Sequence, residues 1–286
     1  MKNIFTVDTE DWFHANYESG LFENDTNRIS TVEENIERYL ELFELYHVKA
    51  TFFVLGSVAK RHIQMVRKIA RQGHEIASHG YSHLLVYEQT PQEFREDLYK
   101  CKILLEDLIG KEVAGYRAPS WSITEQSLWA LDILEELGFR YNSSIFPTKN
   151  YLYGISYAPR FVHGCDIYGK KDLKIQNVPP STKKIADKFV RGGVIPFSGG
   201  AYFRLFPSWA IELFTDEINK KEKQPVLFYL HPREIDPHQP KLDLKMKNYL
   251  IHYYGISGCE KKLVKILKKY DFDTITSMLN HMSVVT

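Results

Sequence analysis

The sequence predicts an α/β fold in which a parallel sheet or barrel is covered by helices. Short apolar, β-branched runs alternate with longer amphipathic ones, the long runs carry caps and terminal glycines, and polar residues recur where the short runs end. "NIFTV" reads as the first strand. "TVEENIERYLELFEL" follows as a helix, with Ile36, Tyr39, Leu40 and Phe43 three or four residues apart and Thr31 placed to cap. "KATFFVLG" is a strand, "VAKRHIQMVRKIARQG" a helix stopped by Gly73, and "HEIAS" a strand. "TPQEFREDLYKCKILLEDLIG" opens on Thr90-Pro91, a cap and first turn, and stops at Gly110. "VAGYRAP" and the helix "TEQSLWALDILEELG" come next. The stretch of about 143–208 breaks the rhythm, with many prolines and glycines and little helical period, and reads as loops and short strands. "PVLFYLHP" (225–232) restores a buried strand, "EKKLVKILKKY" is a last helix, and "FDTIT" a final strand.

Composition narrows the functional classes. The 286 residues suffice for a substantial core, and 37 basic against 36 acidic residues leave a net charge of +1, so no general field draws in nucleic acid. No apolar run approaches the roughly 18–20 residues a membrane span requires. Cys101, Cys165 and Cys259 are scattered, form no C-x-x-C pair and fit a reducing compartment. The N-terminus runs straight into a strand with acids by position 8, unlike a signal peptide, so a cytoplasmic location, extending to the inner face of the membrane, is expected.

In parallel α/β folds, active sites collect at the carboxyl ends of strands. Here the first strand ends in Asp8, Glu10 and Asp11, "HEIAS" in His79 and His83, "VAGY" in Arg117, Pro119 and Trp121, and "VLFYL" in His231. Each has an ordinary structural explanation taken singly; their recurrence at strand ends points to a site. One carboxylate and two imidazoles form a three-ligand centre with an open position, the pattern of a catalytic zinc. A second carboxylate can serve as general base, a separate histidine as general acid, and Arg117 can hold the base ionised. The ensemble reads as a metal-assisted hydrolase of an amide or ester.

These motifs resemble those of polysaccharide deacetylases, the nodulation-type group also called carbohydrate esterase family four. The resemblance rests on "TVDTEDW", "HGYSH", "RAP" and "YLHP", in the family's order over roughly residues 1–235. "VDTEDWFHA", "SGGAYFRLFP", "YLHPREIDP" and the "NYLIHYYG" extension resemble the exosortase-associated subfamily of bacterial exopolysaccharide loci. The resemblance implies a distorted (β/α) barrel with fewer than eight repeats as a catalytic domain over 1–235, with 236–286 as a small C-terminal extension packed on it. It implies Asp8 as general base, Arg117 as its partner, His231 as general acid, and His79 and His83 as ligands of a divalent metal, Zn²⁺ being the expected ion. It also implies that the Ser120 N–H belongs to an oxyanion hole and that Leu230 walls the acetyl-methyl pocket. Trp121 and the Tyr202–Phe203–Arg204 run are the expected sugar contacts.

Two departures from the family pattern stand out. The paired aspartates are spread as Asp8-Thr9-Glu10-Asp11, leaving Glu10 and Asp11 as alternative third ligands: Glu10 shares the strand face of Asp8, while Asp11 has the commoner chemistry. Where the family often has an aspartate that tunes the acid histidine, "GFRYNSS" offers Asn142, so His231 is expected to titrate lower than usual. The function implied is removal of N-acetyl groups from N-acetylhexosamine units of a bacterial surface polysaccharide or its lipid-linked precursor. A non-catalytic sugar-binding relative and a cyclic amide or ureide hydrolase are the alternatives. His14, close behind the acidic cluster, is the further histidine positioned to line the cleft.

Overall fold

The structure, a computed structural model, describes residues 1–14, 16, 29–148, 150, 152–185 and 193–285. In chain order its elements are β1 (Asn3–Thr9), α1 (Val32–Leu45), β2 (Thr51–Val54), α2 (Gly56–Arg61), α3 (Ile63–Arg71) and β3 (Glu75–Ser78). There follow α4 (Pro91–Ile109), β4 (Gly115–Tyr116), α5 (Ala130–Glu136), β5 (Tyr141–Asn142), β6 (Gln176–Asn177), β7 (Thr182–Lys184) and β8 (Val194–Pro196). The chain ends with α6 (Gly200–Leu205), α7 (Ser208–Glu217), β9 (Leu227–Leu230), α8 (Met246–Tyr253), α9 (Ile256–Lys269), β10 (Phe272–Asp273) and α10 (Ile275–Val285).

An eight-stranded sheet runs β10–β1–β2–β3–β4–β5–β6, with β9 also paired to β1, and every pairing in it is parallel. β1 is the hub: Thr6–Thr9 lie beside Thr51–Val54, and Ile4–Val7 beside Leu227–Leu230. The sheet curls into a half-barrel, the distorted (β/α) barrel expected from the sequence. Its open side is bridged by Ser181, whose N–H donates to the Leu227 carbonyl while its hydroxyl accepts from the Leu227 N–H. Both faces of such strands are buried, which is why they read as nearly continuous apolar runs.

Strand alternation divides the core. Phe5, Val7, Phe52, Val54, Phe228 and Leu230 point outward into the main core beneath the helices, where Ile36, Phe43, Phe94 and Leu98 meet them. Ile4, Phe53, Ala77, Tyr141 and Leu227 point inward and form the apolar floor of the barrel with Ile275. α10 plugs that floor: the Ile275 N–H donates to Thr51 Oγ1, and Thr276 donates twice to Glu75.

Several elements differ from the sequence reading, among them the helix read over 124–138, which is an α-helix only over Ala130–Glu136, and α8, which the reading did not contain. The expected helix over 58–73 breaks at His62, which adopts φ −121° and ψ 53° and places Nδ1 2.9 Å from Glu33, giving α2 and α3. "FDTIT" is a strand only over Phe272–Asp273; its β-branched remainder starts α10, because burying Ile275 under the barrel outweighs strand propensity. Within the expected loop-rich stretch 143–208 lie β6, β7, β8 and α6, with residues 149, 151 and 186–192 outside the described part.

Candidate active site

The alternation that puts apolar side chains on the barrel floor puts polar ones above it. On β1, Ile4, Thr6 and Asp8 share the inner face and Glu10 follows them over the rim; Ala77 leads to His79, and Tyr229 to His231. Asp8, Glu10, His79 and His83 line one cavity of about 770 Å³ together with His231.

Glu10, His79 and His83 are buried and present ligand atoms all within 4.8 Å of one another. Glu10 Oε2 lies 2.5 Å from His83 Nε2 and 3.5 Å from His79 Nε2. His79 Nδ1 sits 2.8 Å from the Arg117 carbonyl, a contact that places the ring proton on Nδ1 and leaves the Nε2 lone pair facing the cluster. The loop carrying His83 is rigidly held: Gly80 turns at φ 76°, His83 itself at φ 60°, and Asp97 on α4 accepts from the Tyr81 and Ser82 N–H groups. Burial would raise the Glu10 pKa, but the His83 charge and hydrogen bonds from His79 and His83 hold it well below the ordinary value.

Asp11 is not brought to this cluster. Its carboxylate accepts from the Ser30 hydroxyl and from the Thr31 and Val32 N–H groups, closing the start of α1. The physical reason is the one that left the ligand open in the sequence: on the pleat, Asp11 faces away from Asp8. His14 accepts the Asp11 N–H at Nδ1, lines the cavity and stands 5.4 Å, ring to ring, from His83; burial first, then the His83 charge, lowers its pKa to about 3.

At Asp8, the expected general base, Oδ1 accepts from Arg117 Nη1 at 2.6 Å. The guanidinium is fully buried, donates also to Thr6 Oγ1 and to the hydroxyl of Ser143, and stacks 4.0 Å above the Phe53 ring. With its donors so occupied, Arg117 has one orientation, and it fixes that of Asp8. The free oxygen, Asp8 Oδ2, lies 3.8 Å from His231 Nε2, and Glu10 Oε1 lies 3.9 Å from the same atom.

His231, the expected general acid, has a partner that sequence reasoning missed. Glu234 Oε2 accepts the His231 N–H at 3.0 Å and lies 3.3 Å from Nδ1. Burial alone would lower the His231 pKa; Glu234, through hydrogen bond and charge, outweighs it, with Glu10 and Asp8 adding to the rise. Glu234 is itself held down to about 2 by His231, Arg204 and Arg233 despite burial. The lower titration expected from Asn142 is therefore corrected. Asn142 faces the outside of the barrel, donating to Asn177 and accepting from the Ser144 N–H. The signal available was the spacing in "HPRE", which sets Glu234 one short turn beyond His231.

The expected substrate contacts separate. Ser120 and Trp121 line the cavity in a tight turn at φ 51° and 50°, and the Ser120 N–H meets no acceptor among the described residues. Trp121 packs 4.6 Å from the Tyr229 ring, with Nε1 likewise unpaired. Tyr202 lines the cavity. Leu230 lies in the main core instead, because alternation sends Tyr229 and His231 inward and Leu230 outward. Arg204 reaches the cavity edge, yet its guanidinium is spent on Glu234 and the carbonyls of Ile251 and Tyr254, so it is not free for a sugar.

Residues 21–142 match the family model described as Polysaccharide deacetylase, and residues 143–280 the one described as Domain of unknown function (DUF3473). The chain is 32% identical over 144 residues to the peptidoglycan deacetylase of Helicobacter pylori, covering 50% of this chain and 46% of that protein. It is 34% identical over 96 residues to a peptidoglycan-N-acetylglucosamine deacetylase of Bacillus cereus, covering 33% of this chain and 35% of that one. It thus spans less than half the length of these curated relatives. A Mycobacterium smegmatis chain described provisionally as a polysaccharide deacetylase superposes with a TM-score of 0.60 at 23% identity, over 99% of this chain and 91% of its own. The Puue allantoinase gives a TM-score of 0.60 at 16% identity, over 97% and 88%; both likenesses bear on the fold alone. The match to the Polysaccharide deacetylase model takes in 21–142, less than half of the chain, and the likeness to these curated relatives is likewise partial.

Proposed function

We propose that the chain is a metal-dependent N-deacetylase acting on N-acetylhexosamine units of a bacterial surface polysaccharide or its lipid-linked precursor. One observation carries the reading: a three-ligand cluster, a carboxylate fixed by a buried arginine, and a histidine fixed by a buried glutamate converge on one cavity. The donor set fits a divalent ion, with zinc expected, because a carboxylate and two imidazoles gather at chelating distance and His79 offers a free Nε2 lone pair. When bound, such an ion supplies Lewis-acid polarisation of the acetyl carbonyl and acidifies a water.

The chain's own groups do the rest. Asp8 Oδ2 takes the proton of the attacking water, and Arg117 holds Asp8 aimed. The unpaired Ser120 N–H donates to the oxyanion that forms on the acetyl oxygen. His231 Nε2 hands its proton to the departing amine nitrogen, while Nδ1 stays with Glu234. Trp121 and Tyr202 on the cavity wall are the sugar contacts. Residues 1–235 carry this chemistry and 236–286 form an extension.

The relatives' names, peptidoglycan deacetylases, support an acetylated glycan as substrate. A cavity of about 770 Å³ supports an extended glycan over a small cyclic ureide, which a tighter pocket would enclose. The motifs that resemble those of the exosortase-associated group support a role in exopolysaccharide synthesis. Elemental analysis of protein purified without a histidine tag tests the metal: about one equivalent of zinc in the wild type and none in His79→Ala/His83→Ala is expected. Acetate release from N-acetylglucosamine oligomers tests the activity. Protein that takes up no metal after reconstitution would sink the reading.

A further inference from the structure

Glu234 is fully buried and spends its two oxygens on two different neighbours. Oε2 holds the acid histidine through the His231 N–H at 3.0 Å and Nδ1 at 3.3 Å. Oε1 accepts from Arg204 Nε at 3.1 Å. The guanidinium is also buried, and its other two nitrogens donate to the carbonyls of Tyr254, by Nη1, and of Ile251, by Nη2 at 2.6 Å. Those carbonyls close the C-terminal turn of α8, where unpaired backbone acceptors favour a cation.

The extension grips α6, which carries Arg204, a second time. Gly255 turns the chain from α8 into α9 at φ 74°, directly against Arg204; a Cβ there would stand 3.1 Å from the Arg204 carbonyl oxygen and 3.2 Å from its Cβ. Lys262 on α9 donates to the carbonyls of Phe203 and Arg204 at 2.8 Å, and to that of Phe206, closing the C-terminal end of α6. A continuous path of charge-assisted hydrogen bonds therefore runs from the α8 carbonyls through Arg204 and Glu234 to His231. A planar guanidinium can serve all these acceptors at once; an ammonium cannot.

We propose that Arg204 is a positioning residue for the acid histidine, and that the extension after the barrel, by fixing Arg204, fixes the direction in which His231 delivers its proton. The inference rests on the deacetylase reading given above. It also assigns a task to the segment matched by the model described as a domain of unknown function: residues 143–280 supply His231, Glu234, Arg204 and the two carbonyls that hold it. In the step concerned, the C–N bond breaks, its electron pair leaves with nitrogen, and nitrogen takes the proton from His231 Nε2. An aryl acetate breaks its C–O bond instead, and the phenolate leaves without needing a proton.

The two substrates separate positioning from mere scaffolding. Zinc-loaded wild type, Arg204→Lys, Arg204→Met and Gly255→Ala are compared on an N-acetylglucosamine oligomer and on 4-nitrophenyl acetate, with metal content measured for each. Misaligning a general acid costs on the order of 10–100-fold, so kcat on the amide is expected to fall by about that factor, with KM within about 3-fold. The amide-to-ester ratio falls with it, most in Arg204→Met and least in Gly255→Ala. Parallel loss on both substrates, or no change in the ratio, overturns the proposal; if Arg204→Met does not fold, the other two variants decide. A proton NMR signal from the His231 Nδ1–H, protected from exchange by Glu234, gives a readout independent of turnover. It is expected in the wild type and lost in Arg204→Met, and its persistence in that variant overturns the proposal. A wild type inert towards acetamides would refute the deacetylase reading, and this signal would then decide the inference separately.

Discussion

Replacing Glu234 by glutamine tests what sets the proton affinity of His231. In the wild type, one carboxylate satisfies two sets of donors, His231 on Oε2 and Arg204 on Oε1. Glutamine keeps the shape but has one acceptor oxygen and no charge, so it must abandon either the imidazole or the guanidinium. A hydrogen bond to a charged group is worth about 1.5–3 kcal/mol and a neutral one about 0.5–1.5. The loss is therefore about 1–1.5 kcal/mol, or roughly one pKa unit at 1.36 kcal/mol per unit. The sign follows from the group: Glu234 raises the His231 pKa, so the protonated acid survives to higher pH in the wild type. The profile of kcat/KM for acetate release against pH should lose its alkaline limb about one unit lower in Glu234→Gln, with the acid limb less moved. An alkaline limb that stays in place while the plateau drops would refute this account of the acid.

Two further predictions concern the neighbouring acids and the buried histidines. Asp11→Ala removes the acceptor for the Thr31 and Val32 N–H groups and should cost about 0.5–2 kcal/mol in urea unfolding while zinc content is kept, whereas Glu10→Ala should lose the metal. Metal loss in Asp11→Ala with retention in Glu10→Ala would reverse the assignment. Burial lowers the pKa of His252 to about 2 and, with Lys49 adding, that of His74 to about 4. The unfolded chain protonates both near their ordinary value, so stability is greatest above it and falls as the pH drops, by up to about 1.4 kcal/mol per pH unit for each group. Urea midpoints from neutral pH downward should show this slope, and it should be shallower in His252→Gln; an unchanged slope would remove His252 from the explanation.

The limits of sequence reasoning here follow the range of the forces involved. Period-2 alternation is local, and it was enough to put Asp8 and Glu10 on one face and to bring His79, Arg117 and His231 to strand ends; the same rule, applied to "FYLH", sends Leu230 outward and Tyr229 inward. What alternation could not supply was where a side chain past the strand end would turn. Asp11 was open as a ligand because its fate depends on the unpaired N–H groups opening α1, twenty residues on, which compete for its carboxylate. Asn142 attracted attention as a substitution beside the acid, yet the acid's carboxylate comes from three residues further along its own loop. Arg204 is the sharpest case. As a solitary arginine in an aromatic stretch it read as a sugar contact, and only the return of α8, some fifty residues later, supplies the carbonyls that turn it inward to Glu234. A residue whose partners are distant backbone atoms leaves no pattern in the chain, since any side chain may stand where a carbonyl is used. The reactive groups of this site are legible because their chemistry demands particular side chains, while the groups that aim them are visible only once the chain is folded.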